Sequence, residues 1–332
     1  MKKFFFSLVA IVFATMSYAQ SSMLATLSHE GEISTFYGAL ALRDAYNAAQ
    51  SGDVITLSSG TFNAVNIDKA VIIRGAGMGI DSAAQSEPTV LTGDFSINIP
   101  DEDTNRLTIE GIYHNATISI NNFKNGTFLK DRFKRITYYT RGSCYANLTM
   151  IHCKVTEELE LPENSPISCV NCIIINPYNV STSPIEFSNC VVKEDKYNFS
   201  GYLYSCSFKN CIIDYKNTDY FKSSSTVYNC VGVGSESKGL FKEIPNSTNV
   251  YKTFDEVFKT YAGQYNDDET FEITDGIKES IKGIDGTEVG IYGGNLPFST
   301  TPTNPQITKC NVAAKSTADG KLSVDITVNG AE

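Results

Sequence analysis

Histidine is scarce in this chain. His29, His114 and His152 are the only three. His29 lies outside the repeat described below, and the other two occupy different columns of it. No Ser-His-Asp or metal constellation can be read from them. Positive charge is also short: 27 Lys and Arg stand against 37 Asp and Glu, a net charge of −10. That argues against nucleic acid and against an anionic membrane surface as partner, since both reward a basic face. It does not make the partner basic. Beyond the N-terminus no apolar run is long enough for a membrane span. Cys169-x-x-Cys172 has no second pair at zinc-finger spacing, so no metal is expected.

The N-terminus reads as a targeting segment. Lys2-Lys3 is its positive end, Phe4 to Met16 its apolar stretch, and Ser17-Tyr18-Ala19 its small-residue cleavage site. A signal peptide over 1–19 is therefore expected, with cleavage before Gln20. No Cys follows the cut, which argues against a lipoprotein. The expected location is periplasmic, secreted or cell-surface associated. At 332 residues the chain can bury a large core.

What the sequence does contain is a repeat. The dipeptides Asn171-Cys172, Asn189-Cys190, Asn210-Cys211 and Asn229-Cys230 recur at spacings of 18, 21 and 19. Stepping backwards continues the register at Cys153, Phe133 and Ile112, with a further match at Ala76. A period near 20 marks a solenoid. Positions −5, −3, 0 and +2 about the key residue are mostly apolar, which predicts two short strands with inward side chains. The phase breaks between −3 and 0, where a tight turn is placed. Position −1 holds Gly111, Arg132, His152 and then four Asn, and Gly and Asn tolerate a left-handed backbone. A structural Asn ladder (Asn171, Asn189, Asn210, Asn229) is expected, each side chain bonding to the next coil.

Strand, left-handed Asn bend, strand and longer loop resemble the right-handed parallel β-helix, the pectate-lyase-like fold of exported bacterial proteins. The run Ala45-x-x-Ala48-Ala49-x-x-Gly52-Asp53-Val54-Ile55-x-Leu57-x-x-Gly60-Thr61-Phe62, followed by Val71-Ile72-Ile73-Arg74-Gly75-Ala76-Gly77, looks like that family's entry segment, a capping helix and the first coil. Gly286 to Gly294 looks like its closing segment. The resemblance implies an all-β fold, a right-handed single-stranded parallel β-helix with an N-terminal capping helix and a short C-terminal β-hairpin extension. Residues 20–35 form an N-terminal segment, 36–298 the solenoid, 299–306 a linker and 307–332 a hairpin tail, with Ala318-Asp319-Gly320 as its turn. Thr253-x-x-Glu256 is a capping box and predicts a short helix.

Five of the nine cysteines (Cys153, Cys172, Cys190, Cys211, Cys230) fall in one inward column. Neighbouring coils lie ~4.8 Å apart, but stacked parallel side chains rarely present a disulfide torsion. A ladder of buried free thiols is expected. Cys144 and Cys310 lie outside it. Asp81-Ser82-Ala83 resembles an O-glycosylation site of some exported bacterial proteins.

The coil FLKDRFKRITYYTR, 128–141, departs from the column pattern. Four of the six arginines lie at 106 or within it (Arg106, Arg132, Arg135, Arg141). Arg132, Arg135, Tyr138, Tyr139 and Arg141, with Glu158 and Glu160 on the next coil, are the candidate ligand-binding residues. One reading is a cleft gripping an acidic sugar polymer. The other is a solvated face whose charges pair across rungs. The acidic runs 101–103 and 267–269 do not match the ligand spacing of a known calcium loop. Lyases of the resembled family hold calcium and abstract a proton with Arg or Lys, and its hydrolases use several Asp. Neither motif can be matched here, so catalytic residues are not assigned and no cofactor is expected, calcium entering only for a lyase. The function expected is an exported non-catalytic protein binding a glycan or another surface component, with polysaccharide or a cell-surface protein as partner. The alternative is a polysaccharide lyase or glycoside hydrolase acting on an acidic polysaccharide.

Overall fold

Val54–Leu57 pairs in parallel with Ile72–Arg74, and that strand in parallel with Leu107–Glu110. The pattern continues as a parallel β-solenoid of about eight turns. The computed structural model describes residues 23–79, 87–138, 145–161, 165–179, 185–195, 203, 205–215, 225–234, 241, 248–303, 305–312, 315–317 and 319–329. The expected signal peptide, Asp81-Ser82-Ala83, Tyr139, Arg141 and Cys144 lie outside the described residues.

The first parallel ladder is held by an inward column. Ile55, Ile73, Ile109, Phe128, Met150, Cys169, Phe187, Phe208 and Val227 stand in register on successive strands. None is more than 1% exposed. Burying one such side chain is worth about 1.5–3 kcal/mol. Phe187 and Phe208 stack face to face, ring centroids 4.8 Å apart. The second ladder runs through Ile112–Leu129, Arg132–Tyr138, Lys154–Leu161, Ile173–Ile175, Val191–Lys193, Ile212–Asp214 and Val231–Val233.

Between the two ladders each coil from Leu107 onward turns, among the described residues, through one residue of positive φ: Gly111, Lys130, His152, Asn171, Asn189, Asn210 and Asn229, at +49° to +67°. Lys130, not Arg132, occupies this place in the coil at 128–138. Strand pairing puts Arg132 opposite Tyr113 and Lys154, and Phe128 opposite Ile109 and Met150. The expected register of that coil is therefore two residues out. The cause is Asp131, which fills the key position. Equal spacing and an apolar preference select Phe133 instead, which faces inward at the next inward position with His114 and Val155.

The Asn side chains mostly do not bond coil to coil. Asn171 Nδ2 donates to Ile291 O (2.7 Å) and Gly293 O (2.8 Å), Asn189 Nδ2 to Glu288 O (3.5 Å) and Asn229 Nδ2 to Lys282 O (3.0 Å). Asn210 Oδ1 accepts from Ile284 N at 2.9 Å, and its Nδ2 reaches Asn189 Oδ1 at 3.4 Å, one contact of the expected kind. The ladder thus clips the closing segment, which runs back beside the coils from residue 282. The close approach demands glycine at 293, where a Cβ would overlap the Glu288 carbonyl oxygen.

The five ladder cysteines are buried free thiols. The helix α1 (Ala41–Ala48) turns Ala41, Leu42, Ala45 and Tyr46 into the same core as the coils. Residues 24–37 form an antiparallel hairpin, Leu24–His29 with Glu32–Tyr37, and Leu24–His29 also pairs with Val54–Leu57. That pairing covers an edge which otherwise exposes unpaired backbone. The capping box at Thr253 starts the short helix α2 (Phe254–Val257) as predicted. Gln306–Val312 and Val324–Asn329 form the antiparallel C-terminal hairpin, a separate two-stranded sheet.

Candidate functional site

Side chains just after the key position point out of the second ladder. Tyr113, Arg132, Lys154, Ile173, Val191, Ile212, Val231 and Val250 stand in register. From Ile173 to Val231 the column is apolar and lies in a second core, beneath Val257, Phe258, Tyr261, Phe271, Ile273, Ile277, Val289 and Ile291. The stretch 254–298 is thus a wrap over the outer face. At Lys154 the column becomes polar, and there the wrap gives way to a cleft.

The cleft holds about 360 Å3 and is lined by Lys154, Asp267, Asp268, Glu269, Tyr292, Phe298 and the strap 299–301. Lys154 Nζ lies 5.7 Å from the Phe298 ring centroid. Burial holds its ammonium below the ordinary lysine range, Arg132 adds to that, and the carboxylates of 267–269 oppose it. The Arg132 guanidinium sits over the Tyr113 ring, 4.3 Å from its centroid, and pairs with Asp267. Glu269 is pinned by Thr260 Oγ1 (2.9 Å) and Phe271 N (3.1 Å). Tyr292 OH donates to Thr270 O at 2.8 Å. The result is a polar floor with a cation, a rim of carboxylates and an aromatic wall, suited to hydroxyl groups and an apolar ring face together.

A second cluster lies further along the same strands. Arg135 Nη2 is 3.2 Å from Glu157 Oε2, and Arg135 Nε is 3.9 Å from Glu158 Oε1. Glu160 Oε2 accepts from Tyr138 N at 3.1 Å. Burial pushes the Glu160 carboxyl up, opposed by that bond, and Glu158 adds to the rise. Tyr178, opposite Glu160, is raised by burial and by the same two carboxylates. Here the charges pair across rungs, as the solvated-face reading expects.

Of the expected binding residues, Arg132 pairs with Asp267 at the rim of the cleft without lining it, and Arg135, Glu158 and Glu160 form the neighbouring cluster. Tyr138 does not serve: it is 4% exposed and faces the core, because past the register shift between Phe133 and Arg135 the strand alternates inward at Ile136 and Tyr138. Tyr113, Lys154, Tyr292 and Phe298 were not expected. Their signal was the apolar run Ile173, Val191, Ile212, Val231 one place after the key residue. Apolar side chains on both faces require cover, and the change to Lys154 marks where the cover ends. His29 pairs with Asp53 (Nδ1–Oδ1 2.8 Å), and His114 Nε2 bonds Gly93 O at 2.9 Å inside the core. Among the described residues no group of three or more His, Cys, Asp or Glu is placed to hold a metal ion. No family model, curated protein or solved structure matches the chain.

Proposed function

We propose that this is an exported, non-catalytic β-helix protein of the right-handed, pectate-lyase-like type, and that it binds a glycan at the Lys154 cleft. The observation that carries the reading is the cleft's composition: Asp267, Asp268 and Lys154 to bond hydroxyls, beside the aromatic edges of Phe298 and Tyr292. Both arginines of the adjoining strand already pair with carboxylates of the chain, which suits binding better than proton abstraction by a free arginine. The test uses residues 20–332 and a panel of plant, host and bacterial polysaccharides, with and without calcium. Retention on one glycan without new reducing ends is expected. Phe298→Ala and Asp268→Ala should each weaken retention on the order of tenfold, about 1.4 kcal/mol. Retention unchanged by both substitutions refutes the cleft as the site.

A second reading rests on Lys154, whose lowered basicity suits a base acting on an acidic polysaccharide, as in a lyase. Release of new reducing ends, abolished in Lys154→Ala, would establish it in place of the first.

A further inference from the structure

The strap beside the bends is clipped at six places, and the clips differ in kind. Asn229, Asn210, Asn189 and Asn171 hold residues 282–293 through neutral amides. The last two clips are ionisable. His152 Nε2–H donates to Leu296 O at 2.9 Å, and Lys130 Nζ donates to Thr301 O at 2.7 Å. Between these two anchors hang Phe298 to Thr300, the wall of the cleft. The Phe298 ring also packs against the His152 ring, centroids 5.9 Å apart.

The imidazole has room for one proton and not two. With Nε2–H committed to Leu296 O, Nδ1 is the bare nitrogen, and it is buried without a hydrogen-bond partner. Protonation would place an N–H there with nothing to accept it, a penalised arrangement in a buried site. The groups facing His152 give such a charge little support. Lys130 on the preceding coil repels it. Asp131, beside Lys130, is held toward its neutral form by burial. Cys172 on the following coil shares its single S–H between Val170 O and Met150 O, and it favours the charged ring. Lys154 on the same coil is a cation, and residues 294–298 of the strap carry no ionisable side chain.

We infer that His152 is a pH-sensitive clip: its neutral ring holds the cleft wall in place, and its protonation loosens Phe298 to Thr300. The link to ligand binding rests on the reading of this cleft as the glycan site; the release itself does not. Burial first, and Lys130 with it, set the His152 pKa below the ordinary 6.5, against the bond to Leu296 O and a contribution from Cys172. The unclipped ring therefore takes up a proton more readily than the clipped one. The clip is complete above about pH 6.5 and weakens as pH falls below it.

The test is amide hydrogen exchange on residues 20–332 at about pH 7.5 and about pH 5.5, corrected for intrinsic exchange. The segment 294–301, whose Phe298 N–H bonds Ile291 O at 2.8 Å, is compared with the Asn-clipped segment 284–293. In the wild type, acid should accelerate exchange of 294–301 on the order of tenfold relative to 284–293. His152→Asn places at this bend the residue the next four coils use, and should hold the wall at both pH values. His152→Ala should leave it loose at both. The wild-type comparison stands even where a variant fails to fold. Equal relative protection of the two segments at both pH values overturns the inference, as does an acid loss that persists in His152→Asn. Failure of every glycan to be retained leaves this result intact, so the two readings fail separately.

Discussion

At the bends of the cysteine coils one backbone N–H turns inward, and the key residue of the next coil satisfies it. Cys153 N bonds Cys172 Sγ (3.4 Å), Cys172 N bonds Cys190 Sγ (3.5 Å), Cys190 N bonds Cys211 Sγ (3.4 Å) and Cys211 N bonds Cys230 Sγ (3.3 Å). Each thiol also donates to a carbonyl, as Cys190 Sγ does to Cys169 O at 3.3 Å. The ladder is therefore a run of weak hydrogen bonds as well as small apolar packing. Its ends substitute oxygen for sulfur. Asn249 Oδ1 takes the Cys230 N–H at 3.0 Å, and Asp131 takes the Ile112 N–H at 2.8 Å and the Leu129 N–H at 3.1 Å. Asp131→Ala strands both donors and should cost about 2–4 kcal/mol in denaturant unfolding near neutral pH. Burial raises the Asp131 carboxyl well above its ordinary 3.8, against the two backbone bonds. Its folded form thus favours the proton. The stability this gives is full below about pH 3.8 and declines as pH rises toward the folded pKa, a slope that Asp131→Ala should lack.

At the scale of the element, the left-handed bend and the clip act through the same residue. Asn171 has a φ of +49° and holds two carbonyls of the strap. Asn171→Gly keeps the backbone free and loses two hydrogen bonds, about 2 kcal/mol. Asn171→Ala loses the same bonds and adds the left-handed penalty, about 1 kcal/mol more. Thermal melts should rank wild type above Gly above Ala; Ala equal to Gly would mean that the bend relaxes. The bends were legible because Asn recurs at one phase of the period. The coil at 128–138 was not, because its buried Asp131 breaks the apolar rule on which phasing depends. The destination of the Asn side chains was hidden for another reason. The strap they hold has no repeat of its own, and a sequence period reports neighbours in the stack, not a segment returning from 120 residues away. For the candidate site, Arg132 could be named from charge, whereas Phe298 and Tyr292 lie on that same return path.

On the scale of the whole molecule there are two cores and a C-terminal hairpin. The inner core fills the coils; the outer one lies between the second ladder and the wrap. Among the described residues, Val324, Ile326 and Val328 of the C-terminal hairpin belong to neither. They alternate along one strand opposite Val312, Cys310 and Ile307, and all three remain about half exposed. A lone two-stranded hairpin is marginal in water, and apolar side chains left open in this way favour association. By contrast, the preceding strap is tied down: Thr301 O accepts from Lys130, and Pro302 is buried against Gly77. The fold therefore ends, in the energetic sense, near residue 303. A chain stopped after Thr303 should melt within about 1 °C of the full chain, since under about 0.5 kcal/mol is lost. The full chain should bind more of a dye that lights up on exposed apolar surface than the shortened one. A drop of several degrees on truncation would instead show the hairpin packed on the solenoid, and would move the missing partner surface from another molecule to this one.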